Sequence, residues 1–536
     1  MVSAAPAPLW GSRVVPGVVA GHPCKVFAHR PRSMADLLLD AGRWAEREFI
    51  VQAGRRLTGG GHARAAGRVA RLFRERGVRP RDRVVLLGYN HVEWLVAFWA
   101  AQLLGATAVL GNAWWSDAEA AAMLEEARPT LVLSDRPQER LALGDAAFLP
   151  FAALRPVIEE DGADDPPLRG EPVEEEWPAL VLYSSGTTGR ARGVVVSHRG
   201  VIANIQNLLL LTGRLPSELP DGHPGTVSLV TMPLFHLAGI QISLTTMLSG
   251  GKLVFLAGRF DPVEVLRLIQ GERARAWGSV PTMVSRVVQH PDLAAYDTSS
   301  LASVQMGGAA VSPDLRAEVA RAFPNTRRRV GSLYGLTEAG GVLAAGSGAD
   351  LEGRPGCVGR PLPSVDVAIR HPDGAGVGEI VARAPSAPSG YLGDPTPIAG
   401  PEGWVPTGDL GRLDADGYLY VVGRSKDTII RGGENVASAH VEAALRRHPD
   451  VLDAAVVPLP HPDLGEEVAA AVVVRDGASL PAEELRAHVA RDLARFEVPS
   501  RWWMRSEPLP TNAAGKTLKR EIVGNWPTGA AGDAPR

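Results

Sequence analysis

Residues 180–200 read LVLYSSGTTGRARGVVVSHRG, and the fold turns on how they are understood. The apolar run 179–183 reads as a buried strand. It breaks into Ser184, Ser185, Gly186, Thr187, Thr188, Gly189, Arg190, Ala191, Arg192 and Gly193. A second apolar run, 194–196, follows, with Ser197 and His198 after it. Two strands flanking a loop of hydroxyls, glycines and arginines form a surface suited to wrapping an anion. Glycine lets the backbone turn and come close to a ligand. Successive N–H groups and hydroxyls then donate to phosphate oxygens, and arginine adds charge-assisted bonds. Taken alone, such a cluster serves an ordinary polar hairpin equally well. It is not a G-x-x-x-x-G-K-[ST] loop, because Arg192 precedes Gly193 and no lysine lies nearby.

Outward from this stretch, 536 residues are too many for one ordinary core and imply two or three domains. Apolar content of 45% and charged content of 21% are those of a globular protein. A net charge of −3 gives no reason to expect nucleic acid or an anionic membrane as partner. Cys24 and Cys357 are the only cysteines, so no disulfide framework is expected and a reducing cytoplasm fits. No apolar run reaches the 18 or so residues of a membrane span, and the patch 14–20 is too short for a signal helix. Lysine is rare: of 56 basic residues only Lys25, Lys252, Lys426, Lys516 and Lys519 are lysines.

Along the chain, residues 1–30 show no clear period and read as an irregular arm. Helical spacing appears in 33–48 and 63–77, then strand, helix and strand in 83–88, 92–104 and 106–111, with a further strand at 130–134. Such alternation argues for a mixed α/β sheet. The acidic segment 159–177 reads as a surface connector. Beyond the loop, helices are expected at 202–211, 239–248, 262–270 and 281–290, and strands at 226–232, 252–256 and 277–280. From about Gly403 the texture changes. Residues 409–417 and 418–423 read as a hairpin, and helices 441–447 and 481–494 with strands 451–458 and 467–475 make a small α+β module. Residues after Trp526 read as disordered tail.

A second motif, GSLYGLTE at 331–338, follows Met306, Gly307, Gly308, Ala309 and Ala310. Small residues there let a flat base lie on the backbone, and Tyr334 offers a ring to stack on it. Thr337 can bond a phosphate oxygen. Glu338 supplies a hard oxygen for Mg²⁺, which binds through one or two carboxylates plus substrate phosphates. Further motifs are WVPTGDL at 404–410, GRSKDTIIRGGENVASAHVE at 423–442 and PTNAAGKTLKR at 510–520.

Tyr183 through Val194 resemble the phosphate loop of the adenylate-forming superfamily (acyl-CoA synthetases and their relatives), [YF]-[TS]-[SG]-G-[ST]-[TS]-G-x-P-K-G-[VA]. Ala191 stands for the family's Pro and Arg192 for its Lys, and a forked guanidinium is not a point ammonium. The five motifs fall in family order over about residues 30–525. The resemblance implies a large N-terminal domain of mixed sheets layered with helices, 1–424, and a small mobile C-terminal α+β domain, 425–526, before a tail at 527–536.

It also implies ATP-dependent conversion of a carboxylic acid to an acyl adenylate with pyrophosphate release, then transfer to the thiol of CoA. Ser184, Ser185, Gly186, Thr187, Thr188, Gly189 and Arg192 would hold the phosphates. Gly308, Ala309, Ala310, Tyr334, Gly335 and Thr337 would complete the nucleotide site. Asp409 would accept the ribose hydroxyls, for which an acceptor-only carboxylate is suited, and Arg424 would touch ribose or phosphate. Lys516, Glu338, Thr187 and Arg424 would be catalytic. An ammonium at Lys516, bridging carboxylate and α-phosphate, would offset the repulsion of two anions where charge builds.

Lys426 matches the interdomain hinge, and Arg431, Gly432, Gly433 and Glu434 would line a CoA tunnel. His236, Ile240, Val280, Gly307, Ala339, Gly340 and Gly341 would wall the acyl pocket. His236 replaces the Asp that binds an α-amino group in peptide-synthetase relatives, which disfavours an amino acid. The small residues after Glu338 suggest room for an aromatic, alicyclic or medium acyl group. Two rivals are an adenylating enzyme that transfers to an amine or carrier protein, or activates a small oxyanion such as nitrite, without CoA, and a non-catalytic nucleotide-binding protein. The acid's identity and the oligomeric state are not legible.

Overall fold

The apolar run in the opening stretch is a strand, Pro178–Ser184, and the run after the loop is another, Arg192–Ser197. They stand next to each other in a sheet whose order continues through Thr107–Gly111, Arg83–Leu87, Leu131–Ser134 and Ala147–Pro150. From Pro178–Ser184 to the far edge these strands are parallel. Parallel pairing needs crossovers that cover the sheet faces, and helix Val92–Leu103, every residue buried, is one of them. The computed structural model describes residues 9–527 apart from 161–164, 185–190, 309–310, 312, 327–328, 355, 425–427, 476–479, 511–516 and 518.

The chain divides into two units. The first comprises Met1–Ala113, Leu124–Tyr183 and Gly193–Gly423. Its second sheet holds thirteen strands among the described residues. At its centre Val227–Val230, Ala276–Ser279, Ser303–Gly307 and Val330–Leu336 run parallel and side by side. Helices Pro262–Glu272, Pro281–Val288 and Pro313–Ala322 connect them, and Trp277, Phe323, Met306 and Leu266 are buried in the core they share. Each of these helices starts at a proline, whose fixed φ and missing donor suit the first turn. Beyond Val330–Leu336 the sheet turns antiparallel through Gly341–Ser347 and Cys357–Pro361. The expected hairpin at 409–423 is there as Val405–Leu413 and Leu419–Arg424, and both strands join this large sheet.

Three local readings are corrected. The N-terminal arm is not irregular: Val14–Val19 and His22–Phe27 pair antiparallel, closed by Ala20 and Gly21 with φ of 48° and 81°. Both central residues at positive φ define the tight turn that matches strand twist. The helix at 33–48 is shorter, Met34–Asp40, capped by the reciprocal Ser33–Asp36 pair and followed by a strand from Glu48. The next helix starts earlier than Ala63, at Gly59. Thr58 Oγ1 caps it at Gly61 N–H (3.0 Å), and a Cβ at Gly59 would meet the Trp44 carbonyl at 3.0 Å.

The acidic segment is tied down more than a surface connector requires. Asp165 pairs with Arg68 and Arg71, and Glu175 with Arg30 (2.8 Å), Arg32 (2.9 Å) and Arg199 (2.7 Å). Burial pushes the Glu175 carboxyl up, but the surrounding arginines win and hold it below its ordinary range. Close by in sequence, His198 is fully buried and its Nδ1 accepts the Met34 N–H at 3.1 Å. Burial pushes that imidazole down to about 4.

The second unit comprises Trp114–Met123, Ser184–Arg192 and Arg424–Arg536. Its sheet contains Thr428–Arg431, Glu434–Ala437, Val451–His461, Gly465–Val474 and Arg501–Arg505. Helices Ser438–Arg446 and Ala482–Val489 pack on it over a core that includes Val456, Val472, Leu485 and Trp502. Trp115 and Trp502 are buried, and the Trp503 ring sits edge-on to Trp526 at 5.6 Å, so these tryptophans are packing residues. No helix among the described residues is long and apolar enough to cross a membrane.

Candidate active site

Parallel pairing in the large unit gathers distant segments at one edge. Val230 faces Gly278, Ser279 faces Met306 and Gly307 faces Leu333. The carboxyl ends of these strands therefore lie together, and the segments that follow them carry His236, Val280, Gly308 and Tyr334–Glu338. Ligands of open α/β sheets bind at this edge.

Tyr334 and Asp409 meet there. The Tyr334 hydroxyl donates to Asp409 Oδ2 at 2.9 Å, across 75 residues. Each is set by an irregularity in its strand. The register with Gly341–Ser347 shifts between Tyr334 and Gly335. In the other strand, Glu379 faces Leu410 but Val381 faces Pro406, so residues 407–409 bulge opposite Ile380. Bulges re-aim side chains. Gly408 takes a φ of 73°, Thr407 Oγ1 donates to the Ile380 carbonyl (2.7 Å), and it accepts the Asp409 N–H (3.1 Å). The carboxylate is thereby fixed at 6% exposure on a rigid support.

Thr337, Glu338 and Ala339 form a 3₁₀ turn after the strand, closed by Gly340 in the left-handed region. Glu338 is half-buried on this turn, and its hard carboxylate oxygen is the kind of donor a magnesium ion takes. The small residues behind it have a packing reason. A Cβ on Gly340 would lie 1.6 Å from the Ser386 carbonyl oxygen, and one on Gly341 would meet the Asn204 amide at 2.6 Å. Ala339 is buried in a cluster with Leu343, Leu362 and Val365. These contacts leave no room for a side chain at either glycine.

His236 precedes helix Leu237–Leu248, half-buried, with its ring 4.7 Å from that of Phe235. Ile240, one turn on, is fully buried, and Val280, the residue before helix Pro281–Val288, is 4% exposed. Gly307 ends its strand half-buried, and Gly308 is exposed at φ 78°. Residues that sequence reading missed support this edge. Asn90 Oδ1 accepts the Leu234 N–H (2.7 Å) and its amide donates to the Met232 carbonyl (2.8 Å), clamping the segment before His236. Gln241 donates to Asn204 Oδ1 (2.5 Å), and Asn204 donates to the Val342 carbonyl (2.9 Å). The one available signal was polar Asn204, Gln206 and Asn207 inside an apolar helix.

Residues 39–392 match the family described as AMP-binding enzyme, and residues 440–516 match the AMP-binding enzyme C-terminal domain. The chain belongs to the AMP-binding enzyme family. It is an adenylate-forming ligase of the acyl-CoA synthetase type. It is 36% identical over 473 residues to a feruloyl-CoA synthase of Amycolatopsis sp, covering 86% of this chain and 93% of that protein. It is 31% identical over 485 residues to an indoleacetate–CoA ligase of Aromatoleum aromaticum, with 86% and 92% covered. Among solved structures, the amide bond synthetase McbA from Marinactinospora thermotolerans matches with a TM-score of 0.81 at 31% identity, covering 92% of this chain and 99% of that one.

In this AMP-binding enzyme, Ser184 ends one strand and Arg192 opens the next, both half-buried. Ser185, Gly186, Thr187, Thr188, Gly189, Ala309, Ala310, Lys426 and Lys516 lie outside the described residues. Arg424 is the last residue of its strand. Gly335 is exposed and Thr337 half-buried. Arg431 and Glu434 face each other across a two-residue turn in which Gly432 and Gly433 have φ of 59° and 89°. Arg431 also donates to the Phe496 carbonyl at 3.0 Å, within the small unit.

Proposed function

We propose that this AMP-binding enzyme activates an aromatic carboxylic acid, with the nucleotide seated on the edge where Tyr334 meets Asp409. That pair is the observation that carries the reading. A buried carboxylate, held by one phenol and a hydroxyl-braced bulge, suits two ribose hydroxyls, and the Tyr334 ring offers a face to the base. The acid carboxylate attacks the α-phosphorus of ATP; the bond to the β-phosphate oxygen breaks, and pyrophosphate leaves. The CoA sulfur then attacks the acyl carbon, loses its proton and displaces AMP. Phe235, His236 and Ile240 form the acyl wall, and the feruloyl and indoleacetate specificities of the relatives support an aryl substrate.

In this reading Glu338 would hold Mg²⁺, which when bound would neutralise phosphate charge. Lys516 stabilises the charge of the first step, Thr187 and Arg424 contact phosphate and ribose, Lys426 is the hinge and residues 431–434 line the CoA path. A second reading is favoured by the likeness to an amide bond synthetase: the same adenylate, passed to an amine. Pyrophosphate release over a panel of benzoic, cinnamic, indoleacetic and fatty acids, with CoA, with an amine, or with neither, tests both. Aryl-dependent release accelerated by CoA supports the proposal; release only with fatty acids, or product only with the amine, contradicts it.

A further inference from the structure

The parallel strands that carry the reacting edge have a second edge, at their amino ends, and it is basic. There Val227, Arg273, Arg275, Ser299, Ser300 and Asn325 line a hollow of about 620 Å³. Its frame is well fixed. Arg275 N donates to the Val227 carbonyl (2.8 Å), and its own carbonyl accepts the Ala302 N–H (2.8 Å). Ser300 Oγ donates to the Ala274 carbonyl (2.9 Å) and Asn325 Nδ2 to the Ser299 carbonyl (2.6 Å).

The charges around this frame are not balanced. Among the described residues the guanidinium groups of Arg275, Arg214 and Arg329 have neither a hydrogen bond nor an ion pair, and Arg275 and Arg329 are exposed. Arg273, also in the lining, has an acid partner in Asp297 at 3.7 Å, with both side chains mostly exposed. Arg214 is half-buried, and burial first, then the like charges of Arg329 and Arg275, press it below the usual arginine range; no carboxylate acts on it. Like charges held together are stabilised by an anion that joins them, and the guanidinium fork matches phosphate oxygens.

We propose that this hollow is a second anion site, separate from the Tyr334–Asp409 edge, which binds a small phosphate-bearing anion through Arg275 of its lining and through Arg329 beside it, the carbonyls of the two accepting the successive Ser303 and Val304 N–H groups (3.1 and 3.2 Å). The free anions (phosphate, pyrophosphate) and the phosphate of a nucleotide share that chemistry. The test is calorimetric titration of the full-length protein with inorganic phosphate, with pyrophosphate and with AMP at constant ionic strength. It is repeated on Arg275→Gln, Arg329→Gln and the charge-keeping Arg275→Lys.

At least one of the three should show a binding component that each Gln variant weakens about tenfold or more, as loss of a charged hydrogen bond implies. Arg275→Lys should weaken it less, and KM for ATP should stay within twofold. Response to phosphate or pyrophosphate identifies a free anion, and response to AMP alone a nucleotide. In the unsubstituted protein the same anion should slow amide hydrogen exchange in residues 299–303. Unchanged affinity for all three anions in the Gln variants, a parallel rise in KM for ATP, or no protection at 299–303 would overturn the proposal.

Discussion

Replacing Asp409 by Asn tests the nucleotide edge with the smallest change of shape. Asp409 is 6% exposed, and its Oδ2 takes the Tyr334 hydroxyl at 2.9 Å. In the variant the amide oxygen can keep Tyr334, which leaves the NH₂ group toward the ribose, where two acceptors are wanted. A hydrogen bond to a charged group contributes about 1.5–3 kcal/mol and a neutral one about 0.5–1.5. The loss is therefore about 1 kcal/mol per ribose hydroxyl and about 2 in all, or roughly 30-fold in ATP affinity at 1.4 kcal/mol per factor of ten. Tyr334→Phe removes only the supporting bond and should cost about 1 kcal/mol, roughly fivefold. The assay is KM for ATP from pyrophosphate release at saturating acid, with thermal unfolding checking that each variant is folded. KM for ATP within twofold of wild type in a folded Asp409→Asn enzyme, or an equal rise in KM for the acid, would refute the assignment.

Gly340→Ala places a Cβ 1.6 Å from the Ser386 carbonyl at a φ of 76°, and should destabilise by at least about 3 kcal/mol from left-handed strain plus overpacking. A thermal midpoint unchanged from wild type would mean the space is open after all. Asn90→Ala leaves the buried Leu234 N–H without its partner, a cost of about 1–3 kcal/mol. By loosening the segment before His236 it should raise KM for the acid more than KM for ATP; equal changes would remove Asn90 from acid binding. His198 is held at about 4 in the folded chain against about 6.5 when unfolded. As pH falls below 6.5 the unfolded chain gains a proton that the folded one refuses. The stability due to neutral His198 is thus complete above pH 6.5 and falls by about 2 kcal/mol at pH 5. Denaturant unfolding at pH 7 and pH 5 should show His198→Gln losing about 2 kcal/mol less than wild type over that interval; equal losses would contradict it.

What was legible in the sequence was local. The run–loop–run at 178–197 and the apolar helix Val92–Leu103 declare themselves within one element, because their burial is uniform and their ends are marked. Tyr334 and Asp409 were legible as motif residues, but their bond was not: it depends on two register shifts in separate strand pairs. The N-terminal hairpin hid behind Pro16 and Pro23, which an isolated two-stranded ribbon tolerates because many of its backbone groups face away from a partner. Gly340 and Gly341 were legible as small residues, but not that Ser386 and Asn204 fill the space a Cβ would take at each. Asn90 carried no signal, because the carbonyl it holds lies 142 residues further on.

The most direct test of the account is to trap the first intermediate. The full-length enzyme is mixed with ATP, Mg²⁺ and an acid such as ferulic acid, small molecules are removed, and CoA is added to the protein-bound fraction while mass spectrometry follows it. The account predicts an aryl adenylate formed before CoA is present, converted to an aryl-CoA thioester with release of AMP. Absence of the adenylate with every aryl acid, or an adenylate that CoA leaves untouched while an amine consumes it, would contradict the account.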